Sequence, residues 1–144
     1  MILVDANVLL YAYDETSERH EGCRRWLEAG IASGRPIRLA LVTLLAFVRI
    51  ATDRRVFREP LTTEEACSLV EQWLELPSVR LVQPGPRTWQ LLSELCSEGQ
   101  ASGPLVMDAH LAALALEHGT AIATTDRDFN RFSGLDLVDP TDAT

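Results

Sequence analysis

AIATTDRDF, residues 121–129, opens on three apolar residues, Ala121, Ile122 and Ala123, and closes on Thr124, Thr125, Asp126 and, beyond Arg127, Asp128. The apolar start reads as a short buried strand that ends in acids. The first residues of the chain, MILVD, repeat the pattern: an apolar run that stops on Asp5. Two buried strands ending on carboxylates is the feature that the rest of the sequence has to explain.

Between these two stretches, strands and helices alternate. ANVLLYAY, directly after Asp5, is dense enough in apolar residues for a short helix packed on a sheet. TSERHEGCRRWLEAGIASG is an amphipathic helix expected to be capped by Thr16 or Ser17 and stopped near Gly34. PIRLALV is a second strand, running into TLLAFVRIATD, where Leu44, Leu45, Phe47, Val48 and Ile50 suit a buried helix. After the polar loop DRRVFREPL, TTEEACSLVEQWLEL starts with Thr62 or Thr63 as cap and acids in its first turn. SVRLVQP, RTWQLLSELCSEG, GPLVMDAHLAALALEHG and TAIATTD continue as strand, helix, helix and strand, and LDLVDP is a possible fifth strand. Such alternation predicts a mostly parallel sheet with helices on both faces. In that arrangement all strands end at one edge, where ligands bind. Asp5 and Asp126 then share a rim.

Composition narrows the function. A chain of 144 residues is expected to form one domain, residues 1–144. No apolar run approaches the roughly 20 residues needed to cross a membrane, and the N-terminus lacks signal-peptide features. Cys23, Cys67 and Cys96 form no CxxC pair and read as small hydrophobes in a reducing compartment, which fits a cytoplasmic protein. The net charge of −8 argues against gripping nucleic acid through a bulk positive field. All 13 basic residues are arginine.

Asp108 adds a third acid. It lies in the first turns of VMDAHLAALALEHG, where Ala109, Ala112, Ala113 and Ala115 allow close approach to the sheet. That helix leads directly into the strand ending at Asp126, so its N-terminus faces the same edge. Each acid alone has a bland role: Asp5 and Asp126 as caps of the following turns, Asp108 as a helix-start acid favoured by the dipole. Together they repel unless a proton or cation intervenes. Hard divalent cations such as Mg²⁺ or Mn²⁺ suit such oxygen donors, and two of them would activate a water against a phosphodiester.

Four blocks in order, MILVDANVLLYAYD, VTLLAFVRIATDRRVF, VMDAHLAALALEHG and AIATTDRDFNRFSGLDLVDP, resemble the PIN-domain proteins and, more closely, the VapC ribonuclease toxins of toxin–antitoxin pairs. The resemblance runs nearly end to end. It implies a PIN-like three-layer α/β/α fold with a central, mostly parallel four- to five-stranded sheet. It implies an Mg²⁺- or Mn²⁺-dependent endoribonuclease, an RNA substrate, a VapB-like antitoxin as partner, and a homodimer. Carried over by position, Asp5, Asp108 and Asp126 are the catalytic and metal-holding acids, with Asp128 a further, less regular ligand. Asn7 and Thr125 match polar positions expected to steady those carboxylates.

One position departs from the family pattern. Members usually carry a glutamate on the helix after the second strand, where this chain has Ala46. Asp53 shares that helix face but lies about 10 Å further along. The departure leaves an alternative open: a catalytically weak or inactive PIN-fold module that binds RNA or protein. Phosphatases of the haloacid-dehalogenase type, receiver domains and P-loop proteins also place key groups after a first strand, but all rely on a lysine, and this chain has none. His110 points away from Asp108 around the helix and reads as a packing residue. Trp26, Trp73 and Trp89 occupy apolar helix positions and are expected in the core. Arg49, Arg54, Arg55 and Arg58 form the basic cluster and are the candidates for RNA phosphate contact.

Overall fold

The computed structural model describes residues 1–142. Its order is β1 (Ile2–Val4), α1 (Ala6–Tyr13), α2 (His20–Ala32), β2 (Ile37–Ala40), α3 (Leu41–Ala51), α4 (Thr63–Glu75), β3 (Val79–Val82), α5 (Thr88–Glu98), α6 (Leu105–His118), β4 (Ala121–Ala123) and β5 (Leu137–Val138). A short 3₁₀ helix, Arg127–Arg131, lies between the last two strands. The five strands form one sheet in the order β3-β2-β1-β4-β5, with every pairing parallel.

Alternation along the strands divides the core into two halves. Ile2, Val4, Ile37, Leu39, Val79 and Ala123 face one side, where they pack with Val8, Cys23, Phe47 and Ala66 from α1 to α4. Leu3, Ala40, Val82 and Ile122 face the other side, against Leu95 of α5 and the alanine-rich face of α6. Ala109, Ala112, Ala113 and Ala115 are fully buried, so the small residues of α6 do bring that helix onto the sheet. α6 ends at Gly119, whose φ of +64° reverses the chain into β4. Among the described residues, no helix is long and apolar enough to cross a membrane.

Two local features differ from the sequence reading, the start of α2 and the membership of the core, while the cap of α4 is one of the two threonines expected. α2 starts at His20, not at Thr16 or Ser17. Asp14 Oδ1 accepts from both the Thr16 N–H and hydroxyl, and Ser17 Oγ accepts from the Arg19 N–H, so these side chains close turns instead of capping a helix. Leu45 and Trp89 are 60% and 76% exposed, so neither belongs to the core, and Cys67 is exposed too. The capping box of α4 uses Thr62, whose hydroxyl accepts from the Glu65 N–H while the Glu65 carboxylate accepts from the Thr62 N–H.

A second tie holds the β3–α5 loop. The Glu117 carboxylate, near the end of α6, accepts from the Gly85 and Arg87 N–H groups and from the Thr88 hydroxyl. A Cβ on Gly85 would stand 2.5 Å from Glu117 Oε2. Gly85→Ala should therefore push the Glu117 carboxylate off these donors and lower the Tm. Thermal unfolding measures it; an unchanged Tm would show that the loop does not depend on this carboxylate.

Candidate active site

The strand order reverses between β1 and β4: β2 and β3 extend to one side of this pair, β5 to the other. At such a switch point the connections leaving two neighbouring strands diverge and open a crevice beyond their carboxyl ends. Val4 pairs with Ala123, so Asp5 and Thr124 emerge side by side. The Asp5 N–H donates to the Ala123 carbonyl at 2.9 Å, carrying the pairing one residue past the strand.

Asp5 is the N-cap of α1 and accepts from the Ala6 N–H at 2.7 Å. Its other oxygen accepts from Asn7 Nδ2 at 3.1 Å and from the Thr124 hydroxyl at 2.8 Å. Burial pushes the Asp5 carboxyl up from the usual aspartate value, against these hydrogen bonds, and the nearby Asp126 charge adds to the rise. Asp5 is thus both a helix cap and a member of the acidic rim.

Asp126 caps the 3₁₀ helix, accepting from the Asp128 N–H at 2.8 Å. That turn swings the Asp128 carboxylate back toward α6. Asp108, the fourth residue of α6, meets them there: one carboxylate oxygen from each of Asp108, Asp126 and Asp128 lies within 4.8 Å of the others. Asp5 lies outside this tight trio and shares with Asp108 the wall of a cavity between α3 and α6. Asp108 is pushed up to about 6, chiefly by burial and then by the charges of Asp126, Asp5 and Asp128. Arg131 opposes that rise; its Nη2 lies 3.9 Å from Asp128 Oδ1 and its Nη1 donates to the Gly99 carbonyl.

Hard oxygen donors converging at this spacing, with Asp108 raised by burial and by its neighbours' charges, fit a divalent cation of the Mg²⁺ or Mn²⁺ kind. The repulsion carries a pH signature. The folded-state value of Asp108, about 6, exceeds its ordinary 3.8, so the folded chain binds the extra proton and stability falls as pH rises between those values. His110, held below 6.5 by burial, works in the opposite sense. The comparison with Asp108→Asn isolates the aspartate. In EDTA, the Tm of wild type minus that of the variant should be more negative at pH 7.5 than at pH 5. Parallel profiles would mean that neither burial nor its acidic neighbours raise the Asp108 carboxyl.

The steadying side chains differ from expectation at one position. The buried hydroxyl that serves the site belongs to Thr124, not Thr125. Thr124 Oγ1 donates to Asp5 and accepts from Asn7 Nδ2 at 3.2 Å and from the Asp126 N–H at 3.0 Å, joining three site residues. Thr125 contributes its backbone N–H to Asn7 Oδ1 at 3.3 Å. Strand alternation does not say where β4 stops and the chain turns, so sequence alone leaves the two threonines equivalent. Arg131 was likewise missed; its partners lie on the α5–α6 turn and in its own 3₁₀ helix, and no spacing rule links them.

The arginines are dispersed. Arg49, in the last turn of α3, lines the cavity beside Asp5 and Asp108. Arg54 is exposed, Arg55 pairs with Asp53 at 3.2 Å, and Arg58 lines a separate groove with Tyr13 and Phe57. Asp53, committed to Arg55 in the loop after α3, does not stand in for a glutamate at position 46.

The PIN-domain profile matches residues 2–135, and the chain belongs to the PIN-domain family. Within it, the chain is 45% identical over 135 residues to Ribonuclease VapC37 of Mycobacterium tuberculosis, covering 94% of each chain. It is 39% identical over 140 residues to Ribonuclease VapC31 of the same species, covering 97% of this chain and 99% of the relative. The fold matches VapBC2 from Rickettsia felis, solved bound to a promoter DNA fragment, with a TM-score of 0.71 at 17% identity over 96% of this chain and 98% of that one.

Proposed function

We propose that this protein is a metal-dependent endoribonuclease and the toxin of a VapBC-type toxin–antitoxin pair. The observation that carries this reading is the trio Asp108, Asp126 and Asp128, converging within 4.8 Å in a chain 45% identical to a VapC ribonuclease. The reaction is hydrolysis of an RNA phosphodiester. Asp108, Asp126 and Asp128 would hold Mg²⁺ or Mn²⁺, with Asp5 next to Asp108. The bound ion would supply Lewis acidity at a phosphoryl oxygen and lower the pKa of an attacking water. Asn7 and Thr124 fix the Asp5 carboxylate through the hydrogen bonds described above. Arg49 faces the same cavity as Asp5 and Asp108 and is the arginine best placed to meet an incoming phosphate. Arg54, Arg55 and Arg58 would meet RNA further along its path. The partners in this reading are RNA, a VapB-like antitoxin and a second copy of the chain, and its place of action is the cytoplasm.

Incubation with RNA tests the proposal. Mn²⁺ should support cleavage that EDTA stops, leaving a 5′-phosphate and a 3′-hydroxyl, because water attacks in line. Products ending in a 2′,3′-cyclic phosphate would make the 2′-hydroxyl the nucleophile and overturn the mechanism. Ala46 favours a second reading, a module that binds RNA without cutting it. In the same assay that module would retain RNA and release no product.

A further inference from the structure

The cavity between α3 and α6 has a volume of about 210 Å³ and touches the acidic rim at Asp5 and Asp108. Its remaining surface differs in character from the acids. Val42, Met107 and Leu111 supply hydrocarbon walls, and Ala46 contributes only a methyl group. Arg49, one helical turn beyond Ala46, adds a positive charge to the cavity lining. Met107 is 54% exposed although it adjoins Asp108 in sequence, so an apolar, adaptable side chain stands at the mouth.

We propose that this cavity seats one nucleobase of the RNA, from a nucleotide flanking the scissile phosphate. The assignment rests on the ribonuclease reading and adds to it the surface that selects the RNA sequence. A phosphate drawn to a cation held at Asp108 would deliver its neighbouring nucleoside to the cavity mouth. A free ion or phosphate meets only the polar part of this lining, Asp5, Thr43, Arg49 and Asp108, and leaves Val42, Met107 and Leu111 unused. A base is suited to it: flat apolar faces meet Val42 and Leu111, and a thioether makes favourable contacts with aromatic rings. The volume is below that of a pocket for a larger ligand, which limits occupancy to a single base. Arg49 is then placed for the polar edge of that base or the phosphate that follows it. Position 46 sets the depth of the seat, since any side chain longer than a methyl group would project into it.

The test couples a change in the protein to a change in the RNA. The scissile phosphate is first mapped with wild type and Mn²⁺, and RNAs are then made with a single abasic site on either side of it. Wild type should lose about fivefold or more in kcat/KM on one of the two abasic RNAs, the lower end of what one stacked base contributes. Ala46→Leu, which fills the cavity, should lose a similar factor on intact RNA and nothing further on that abasic RNA. Met107→Ala, at an exposed position, should also blunt the response to the abasic site. Calorimetry should give both variants the Mn²⁺ affinity of wild type. The assignment is overturned if both abasic RNAs are cut like intact RNA, or if the losses from Ala46→Leu and the abasic site multiply. Wild type that cuts no RNA in Mn²⁺ defeats the ribonuclease reading, and the base seat falls with it.

Discussion

Replacing Asp108 with asparagine should abolish Mn²⁺-supported RNA cleavage while making the metal-free protein more stable. The two effects have one cause. Asp108 is half-buried and sits among the charges of Asp5, Asp126 and Asp128, which together with burial push it up to about 6. Asparagine keeps the shape and removes the repulsion, so Tm in EDTA at pH 7.5 should rise. It also removes a charged oxygen donor from a trio whose members lie within 4.8 Å of one another. Losing a residue that merely orients a metal ligand costs about 10–100-fold, so losing the ligand itself should cost more than about 100-fold in activity. Added Mn²⁺, which should raise the wild-type Tm by binding the folded state, should leave the variant's Tm almost unmoved. A site that is more stable when disabled is the usual mark of function held against stability. An Asp108→Asn protein that is active, or less stable in EDTA than wild type, would contradict the account.

Thr124→Val should have the second-largest effect, although it removes no charge. Valine has nearly the shape of threonine, and the site is 4% exposed, so the change deletes one hydroxyl with little repacking. That hydroxyl donates to Asp5 and accepts from Asn7 and from the Asp126 N–H. Its loss leaves buried partners unsatisfied, at about 1–3 kcal/mol of stability. It also frees Asp5 and the Asp126 turn from their shared anchor, which should reduce metal affinity or activity about 10–100-fold. Thr124→Ser should restore most of both. Thr125→Val is the control: only the Thr125 backbone N–H is bonded to Asn7, and valine keeps that group. Calorimetry with Mn²⁺ and thermal unfolding read both quantities. Equal effects at the two threonines would return the supporting role to Thr125.

Much of this site was legible because its acids sit at points where the chain changes state. Asp5 and Asp126 follow apolar runs directly, and strand–helix alternation alone places both on one edge. Asp108 was legible through its helix, since α6 feeds β4 without an intervening element. The contacts that assemble the site were not legible in that way. Asn7 and Thr124 are bonded across 117 positions, and only the pairing of β1 with β4 makes them neighbours. Asp128 faces Asp108 because Asp126 caps a 3₁₀ turn, a geometry that one residue more or less would undo. Leu45 and Trp89 misled because an apolar residue at a helical position fixes a face only when something covers that face. Ala46 read as a missing ligand. In three dimensions it is one wall of a cavity beside the acids.

The most direct test of the central claim is a crystal soaked in Mn²⁺ and measured at the manganese absorption edge. The account predicts an anomalous peak among Asp108, Asp126 and Asp128, about 2.0–2.2 Å from their carboxylate oxygens, close to the short distances of hard octahedral cations. Saturating Mn²⁺ that gives no peak there, or a peak held by other residues while the protein still cleaves RNA, would contradict it.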